Sequence, residues 1–330
     1  MNILIRATNW IGDAVMSLPA LRAVRARFPE AQISVLAKPW VAALYEGERA
    51  ITRVIPFETR WQAIRELRAG DFDLGILLPN SFDSAAVLRL GGVRRIVGYA
   101  RDGRGLLLTN AIALPRPNEL PRHERFYYLE LLRRAELIEL LPEVPDIRFD
   151  DIDEKRRRGR AAFAAAGICL PVVGVSPGAA YGGAKRWLPE RFAEAAVRLA
   201  ADIGGSVAVF GSAAEKALCA SVAGKAGARS FAGETSLRTF IDMAAACSIF
   251  LTNDSGAMHI AAAAGVPSVT VFGPTDENAT GPLGEAAVRL RHPVECAPCL
   301  RRECPIDHRC MTRVTVEDVV LAASILRTQD

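Results

Sequence analysis

No run of about 18 apolar residues occurs anywhere in the 330-residue sequence, so no segment reads as a membrane span. The opening residues Met1 to Ala7 are strand-like. Arg6 and Asn9 interrupt that apolar run too early for a signal peptide, which points to a cytoplasmic protein. Aromatic residues make up 7% of the chain and are not interleaved with the arginines, which argues against single-stranded nucleic acid as a partner. There is no short repeat and no low-complexity tract. Neither a Walker A loop nor a G-x-G-x-x-G fingerprint is present, which disfavours nucleotide hydrolysis and hydride transfer.

What is present is an ordinary soluble composition, 50% hydrophobic and 24% charged, in a chain long enough for two domains. The net charge of +4 says little, but arginine greatly outnumbers lysine. Arginines cluster at Arg22/Arg25/Arg27, Arg94/Arg95, Arg101/Arg104, Arg122/Arg125 and Arg156–Arg158. Each cluster reads either as a solvated helix face or as a surface for phosphate-rich partners, whose geometry the guanidinium fork matches.

Strand-like and helix-like segments alternate from end to end, the pattern of α/β layering. Strands fit 3–7, 32–37, 53–56, 74–78 and 95–98, then 172–175, 206–210, 249–252 and 268–272. A single helix is expected over 13–27 and another over 124–137. Prolines 142 and 145, set among acids, mark an inter-domain connection. The expected architecture is two doubly wound Rossmann-like domains, 1–150 and 151–315, facing a central cleft. A C-terminal helix, 316–330, is expected to fold back on the first domain.

The most informative stretch runs from Ile249 to Asp276. An apolar strand stops at Thr252-Asn253-Asp254-Ser255-Gly256, and a small-residue helix follows. In an open α/β sheet such a turn lies at the carboxyl end of a strand, where ligands bind. Ser255 and Gly256 would turn backbone N–H groups toward a phosphate. His259, on that helix, is either structural or part of the same site. In the second half's first loop, Gly178, Gly182 and Gly183 precede Lys185 and Arg186, a pattern open to a surface loop or a diphosphate clamp centred on Lys185. Glu215, after Phe210-Gly211-Ser212, is either a helix-starting acid or a carboxylate for the two hydroxyls of a ribose. In the first half, Asp13 follows Gly12 where strand gives way to helix. It reads as a helix cap or as a general base kept ionised by the helix dipole.

Seven cysteines occur, four of them at Cys296, Cys299, Cys304 and Cys310. That compact spacing is open to tetrahedral zinc by four thiolates, with His292 and His308 as alternative ligands, or to a reduced loop-stapling cluster. Cys169, Cys219 and Cys247 lie in apolar segments and read as core.

Taken together, Gly12-Asp13-Ala-Val-Met-Ser-Leu-Pro, Ser176-Pro-Gly with Lys185-Arg-Trp, Asn253-Asp254-Ser255-Gly256-Ala-Met-His259 and Phe272-Gly-Pro-Thr-Asp276 resemble the ADP-heptose:lipopolysaccharide heptosyltransferases. The resemblance covers essentially the whole chain, and the cysteine-bearing tail looks most like the heptosyltransferase II branch. It implies a GT-B fold and an inverting transfer with no cofactor. The implied donor is ADP-heptose and the acceptor a heptosylated Kdo-lipid A at the inner-membrane surface, with the enzyme peripheral there. On this similarity Asp13 is the general base and Lys185 holds the diphosphate, with Ser255 and Gly256 adding contacts. Asp254 and His259 line the sugar and phosphate region, Glu215 the ribose and Thr235 the adenine. Arg60, Arg122 and Arg125 are implied acceptor contacts. This chain has Ala179, Ala180 and Tyr181 where some relatives carry hydroxyl residues before the clamp lysine. The competing readings are a heptosyltransferase acting on another acceptor, a nucleotide-sugar epimerase or hydrolase, and a nucleotide-sugar sensor.

Overall fold

The computed structural model describes residues 1–144 and 147–327; Pro145 of the expected connection and the last three residues of the expected C-terminal helix lie outside them. The chain divides into two units, the first Met1–Val144 and the second the remainder.

The first unit runs β1 (Asn2–Arg6), α1 (Ile11–Met16), α2 (Leu18–Arg27), β2 (Gln32–Ala37), α3 (Pro39–Ala42), β3 (Arg53–Pro56), α4 (Arg60–Gly70), β4 (Leu74–Leu77), α5 (Phe82–Leu90), β5 (Arg95–Tyr99), β6 (Asn110–Ile112) and α6 (Arg125–Arg134). The second runs α7 (Ile152–Ala165), β7 (Val172–Ser176), α8 (Pro189–Ile203), β8 (Ser206–Val209), α9 (Lys216–Ala226), β9 (Arg229–Ser230), α10 (Leu237–Ala245), β10 (Ile249–Asn253), α11 (Gly256–Ala263), β11 (Ser268–Val271), α12 (Glu277–Thr280), β12 (Ala287–Leu290), α13 (Arg309–Thr312) and α14 (Val316–Arg327).

Each unit holds a six-stranded parallel sheet, ordered β3-β2-β1-β4-β5-β6 in the first and β12-β11-β10-β7-β8-β9 in the second. Counted within its own unit, the second order is the first order again. Both are doubly wound, with the direction of winding reversing beside the first strand, where crevices open at the strands' carboxyl ends. The central strands β1, β4, β7 and β10 are buried almost throughout, as parallel strands covered on both faces must be.

The helix expected over 13–27 is two helices. Ser17 stands between them and its hydroxyl bonds the Ala14 carbonyl at 2.8 Å. Pro19, which has no N–H to give, falls in the first turn of α2, where that loss is harmless. Edge strands β6, β9 and β12 were not among the expected strands; they are short and only partly buried, and carry no sustained apolar run.

The C-terminal helix α14 packs within its own unit. Val316, Val319, Ala323 and Leu326 are buried in the apolar cluster of the second unit, with Phe192 and Leu199 of α8 and Val269 and Val271 of β11.

Two of the clustered arginines are structural. Arg104 is fully buried, donating from Nε to the Tyr99 carbonyl at 2.8 Å and from Nη2 to Asn80 Oδ1 at 3.2 Å. Arg158 forms a two-pronged pair with Asp242 at 2.8 and 2.9 Å, tying α7 to α10.

Candidate functional site

In the second unit the ends of β7 and β10 are locked together by one side chain. Asn253, fully buried at the end of β10, accepts the Trp187 N–H at 2.9 Å and donates to the Pro177 carbonyl at 2.8 Å. A buried amide with partners on two loops fixes both, because losing either bond would leave a backbone group unpaired. That fixture places Lys185 beside the turn after β10. Its Nζ meets Asp254 Oδ2 at 2.5 Å, and the Thr275 hydroxyl donates to the same oxygen at 2.6 Å. Both charged side chains are largely buried, so their attraction is little screened. Lys185 also lies over the Tyr181 ring, 4.9 Å from its centre.

Ser255 is the residue before α11, in an extended conformation, and its side chain makes no cap bond to the helix. The first-turn N–H groups at Gly256 and beyond are therefore not satisfied by a capping side chain, the arrangement that suits an anion. His259, the fourth residue of the same helix, is buried. The structure thus brings Lys185, Asp254, Ser255 and Gly256 to one end of the sheet.

Glu215 settles into a capping box. Its Oε2 accepts both the N–H and the hydroxyl of Ser212 at 2.8 Å. The same carboxylate lies against Gly178, where a Cβ would collide with it, so the β7 and β8 loops meet there. Thr235 sits in the turn after β9, just before Ser236, which caps α10 through its bond to the Thr239 N–H at 3.1 Å.

The cysteine-bearing tail proved to be the buttress of the lysine loop, a role the sequence did not disclose. The Ala184 N–H donates to the Arg302 carbonyl at 2.9 Å, and the Gly183 N–H to Glu303 Oε1 at 3.0 Å. His308 Nε2 lies 2.8 Å from the Ala184 carbonyl and Tyr181 donates its hydroxyl to the Leu300 carbonyl at 2.7 Å. Gly182 is required by contact, since a Cβ there would run into the Arg302 carbonyl. Gly182→Ala should therefore lower stability by about 1–3 kcal/mol through overpacking and weaken ADP binding, because Lys185 is three residues on. Denaturant titration and calorimetry on one sample would read both, and normal values for both would remove the buttress from the argument.

The zinc reading needs correcting. Among the described residues no three or more His, Cys, Asp or Glu side chains are grouped to hold a metal ion. Cys310 is buried in the apolar core, Cys304 accepts the His308 N–H at 3.3 Å, and Cys296 and Cys299 are exposed. His292 faces Asp318 at 3.3 Å and His308 is taken by the lysine loop. Burial raises the Cys310 thiol, and the three neighbouring cysteines raise it further, so it stays protonated. Cys219 and Cys247 are core, but Cys169 is exposed.

In the first unit Asp13 occupies the first turn of α1, a helix of only six residues. The dipole expected to keep it ionised is outweighed: burial raises its carboxyl above the ordinary aspartate range. Glu124, just before α6, is exposed as a residue, yet its carboxyl is raised by desolvation first and by Asp13 second. The neighbouring phenols Tyr45 and Tyr128 are both held protonated, chiefly by burial, and each feels the Asp13 charge. The three basic candidates differ. Arg60 is exposed as the first residue of α4, and Arg122 is exposed in the loop before α6. Arg125 opens α6 with Nε and Nη1 buried and bonded to nothing among the described residues, its guanidinium 4.5 Å over the Phe126 ring. Desolvation pulls its pKa down.

A family model described as glycosyltransferase family 9 (heptosyltransferase) matches residues 60–309. The chain belongs to this family. It is a glycosyltransferase with a GT-B type architecture. It is 31% identical over 310 residues to lipopolysaccharide heptosyltransferase 2 of Escherichia coli strain K12, covering 88% of both chains. Against lipopolysaccharide heptosyltransferase 1 of Pseudomonas aeruginosa the identity is 27%, covering 92% of this chain and 87% of the other. The solved structure of the E. coli ADP-heptose lipopolysaccharide heptosyltransferase II superposes with a TM-score of 0.84 at 29% identity, over 100% of this chain and 99% of that one.

Proposed function

We propose that this family 9 glycosyltransferase moves a heptosyl unit from ADP-heptose to a lipopolysaccharide inner core that already carries one heptose, with inversion at the anomeric carbon. The observation that carries the reading is Asp13, a carboxylate whose proton affinity burial has raised. A base works best when its pKa approaches the operating pH. Asp13 takes the proton of the acceptor hydroxyl, the oxygen forms its bond to the anomeric carbon, and the bond from that carbon to the diphosphate breaks. ADP leaves with the electron pair. Lys185 and the N–H groups at the start of α11 stabilise its charge, and Glu215 and Thr235 lie toward the nucleoside. Asp254 and His259 line the sugar and phosphate region. Arg60, Arg122 and Arg125 receive the acceptor's acidic groups. With side chains neutralising the diphosphate, the reaction needs no cofactor and should survive EDTA.

Similarity to relatives named heptosyltransferase 2 supports the choice of acceptor. Among the described residues no helix is long and apolar enough to cross a membrane, so access to a lipid-borne acceptor would be peripheral, at the cytoplasmic face of the inner membrane. The test is ADP release from ADP-heptose with two acceptors. Release with the mono-heptosylated acceptor alone is expected. Release only with the heptose-free Kdo-lipid A acceptor would reassign the chain to the first transfer, and release with neither would sink the reading.

A further inference from the structure

Three of the four tryptophans in the chain are exposed, and all three lie in the first unit just past the carboxyl end of a strand. Trp10 follows β1, Trp40 follows β2 and Trp61 follows β3; Phe82 does the same after β4. Their exposures are 61%, 56%, 69% and 53%. The sheet order β3-β2-β1-β4 sets these four strands side by side, so the aromatics follow one another as Trp61, Trp40, Trp10, Phe82 along one edge. With neighbouring strands about 4.8 Å apart, the row extends for about 15 Å. Large aromatics left in water have a cost that scattered exposure does not explain when four share an edge.

The middle of the row is held rigid. Trp40 Nε1 donates to the Asn9 carbonyl at 2.9 Å, and Arg6 Nη2 donates to Asn9 Oδ1 at 2.8 Å. Arg6 and Lys38 both lie over the Phe57 ring, at 4.8 and 4.4 Å, and Lys38 lies 5.7 Å from the centre of the Trp40 ring. The indole at 40 is therefore held to Asn9, the neighbour of Trp10 in the loop that leads into Asp13. Two cations stand in the row, Lys38 and Arg60, and neither makes an ion pair among the described residues. Arg60 opens α4, whose first turn holds no acid, so the positive end of the helix dipole adds to its charge.

We propose that this row is the platform on which the anionic saccharide chain of the acceptor lies. The inference rests on the acceptor reading above and names the part of the acceptor recognised. The C–H face of a pyranose is apolar and stacks on an indole, while its acidic substituents are drawn to Lys38 and Arg60. A row of rings with cations beside them that form no ion pair among the described residues, Lys38 donating only to the Glu58 carbonyl at 2.6 Å, fits a chain of acidic sugars better than it fits a bilayer, into which such an edge would also carry the exposed Glu58 and Asp83. Trp10, three residues before the base, and Trp40 then set where the chain stops.

The experiment is calorimetric binding of a deacylated, lipid-free inner-core oligosaccharide carrying Kdo to the wild type and to Trp10→Ala, Trp40→Ala and Trp61→Ala. Each variant should weaken binding about tenfold or more, with ADP affinity unchanged as the control for folding. Trp61→Tyr, which keeps an aromatic face, should stay within about threefold of wild type. Unchanged oligosaccharide affinity in the alanine variants would overturn the proposal. So would variants that lose only sedimentation with anionic phospholipid vesicles, which would make the row a membrane contact. Turnover is scored separately. Wild-type ADP release with indifferent variants removes the platform and leaves the transferase, whereas ring-dependent oligosaccharide binding without turnover does the reverse.

Discussion

Asp13→Asn is expected to slow transfer by roughly 10²–10⁴-fold, the usual worth of a positioned general base, while ADP affinity stays at the wild-type value. The same substitution should make the protein more stable. Burial raises the Asp13 pKa in the folded chain, so folding favours the protonated form. A group shifted in that sense contributes stability below its unfolded pKa and loses it as pH rises through the folded one. At neutral pH the ionised carboxylate is therefore a liability that the fold carries, and asparagine, neutral and similar in shape, removes it. Melting temperature at pH 7.5 should rise, and the gain over wild type should shrink as pH falls through the folded Asp13 pKa. The pH profile of wild-type transfer should show an acid limb displaced upward from the ordinary aspartate range, absent from the residual rate of the variant. A variant that is inactive and less stable would point to a capping aspartate instead. Retained turnover would remove Asp13 from the mechanism altogether.

What the sequence disclosed and what it hid divide along physical lines. The central strands were legible because a parallel strand covered on both faces must be apolar throughout, as Ile249 to Leu251 and Val172 to Val175 are. Edge strands such as Arg229–Ser230 have no such requirement and left no pattern. The turn at Asn253 to Gly256 was legible because a strand that stops on small polar residues before a helix has few other uses. Charge state was not. From its place in a helix Asp13 reads as held acidic, and only the three-dimensional surroundings reverse the direction of its pKa shift. Nor was the partner of a side chain legible: Glu215 in a capping box and Glu215 on a ribose have the same sequence. The arginines taught the same lesson, since nothing local separates the buried Arg104 from the exposed Arg101. The cysteine tail misled because thiol spacing suggests a metal, whereas its backbone, through the carbonyls of Leu300 and Arg302, is what supports the lysine loop.

The lysine loop carries the second large effect. Lys185→Ala removes the cation proposed to meet the diphosphate, and ADP affinity should fall roughly 10–100-fold, as for loss of a charge-assisted hydrogen bond. It also leaves Asp254 buried with, among the described residues, only the Thr275 hydroxyl on its carboxylate. Breaking one half of a buried ion pair costs about 3–5 kcal/mol, and the surviving hydroxyl bond places this case at the lower end. The two losses have different causes and can be separated. In Lys185→Ala/Asp254→Asn the stranded charge is gone, so stability should recover most of the way while ADP binding stays weak. If stability does not recover, the loop itself has come loose from Asn253 and the tail. Recovered ADP binding in the double variant would mean that Lys185 acts on the nucleotide only by restraining Asp254. The pairing also bears on the reaction. A phosphate bound as proposed at the start of α11 would compete with Asp254 for the same ammonium, so its binding would be offset in part by loosening an ion pair already formed. Asp254→Asn alone should then tighten ADP binding while lowering stability. That outcome would identify Asp254 as the group that keeps Lys185 in position until the diphosphate takes it over.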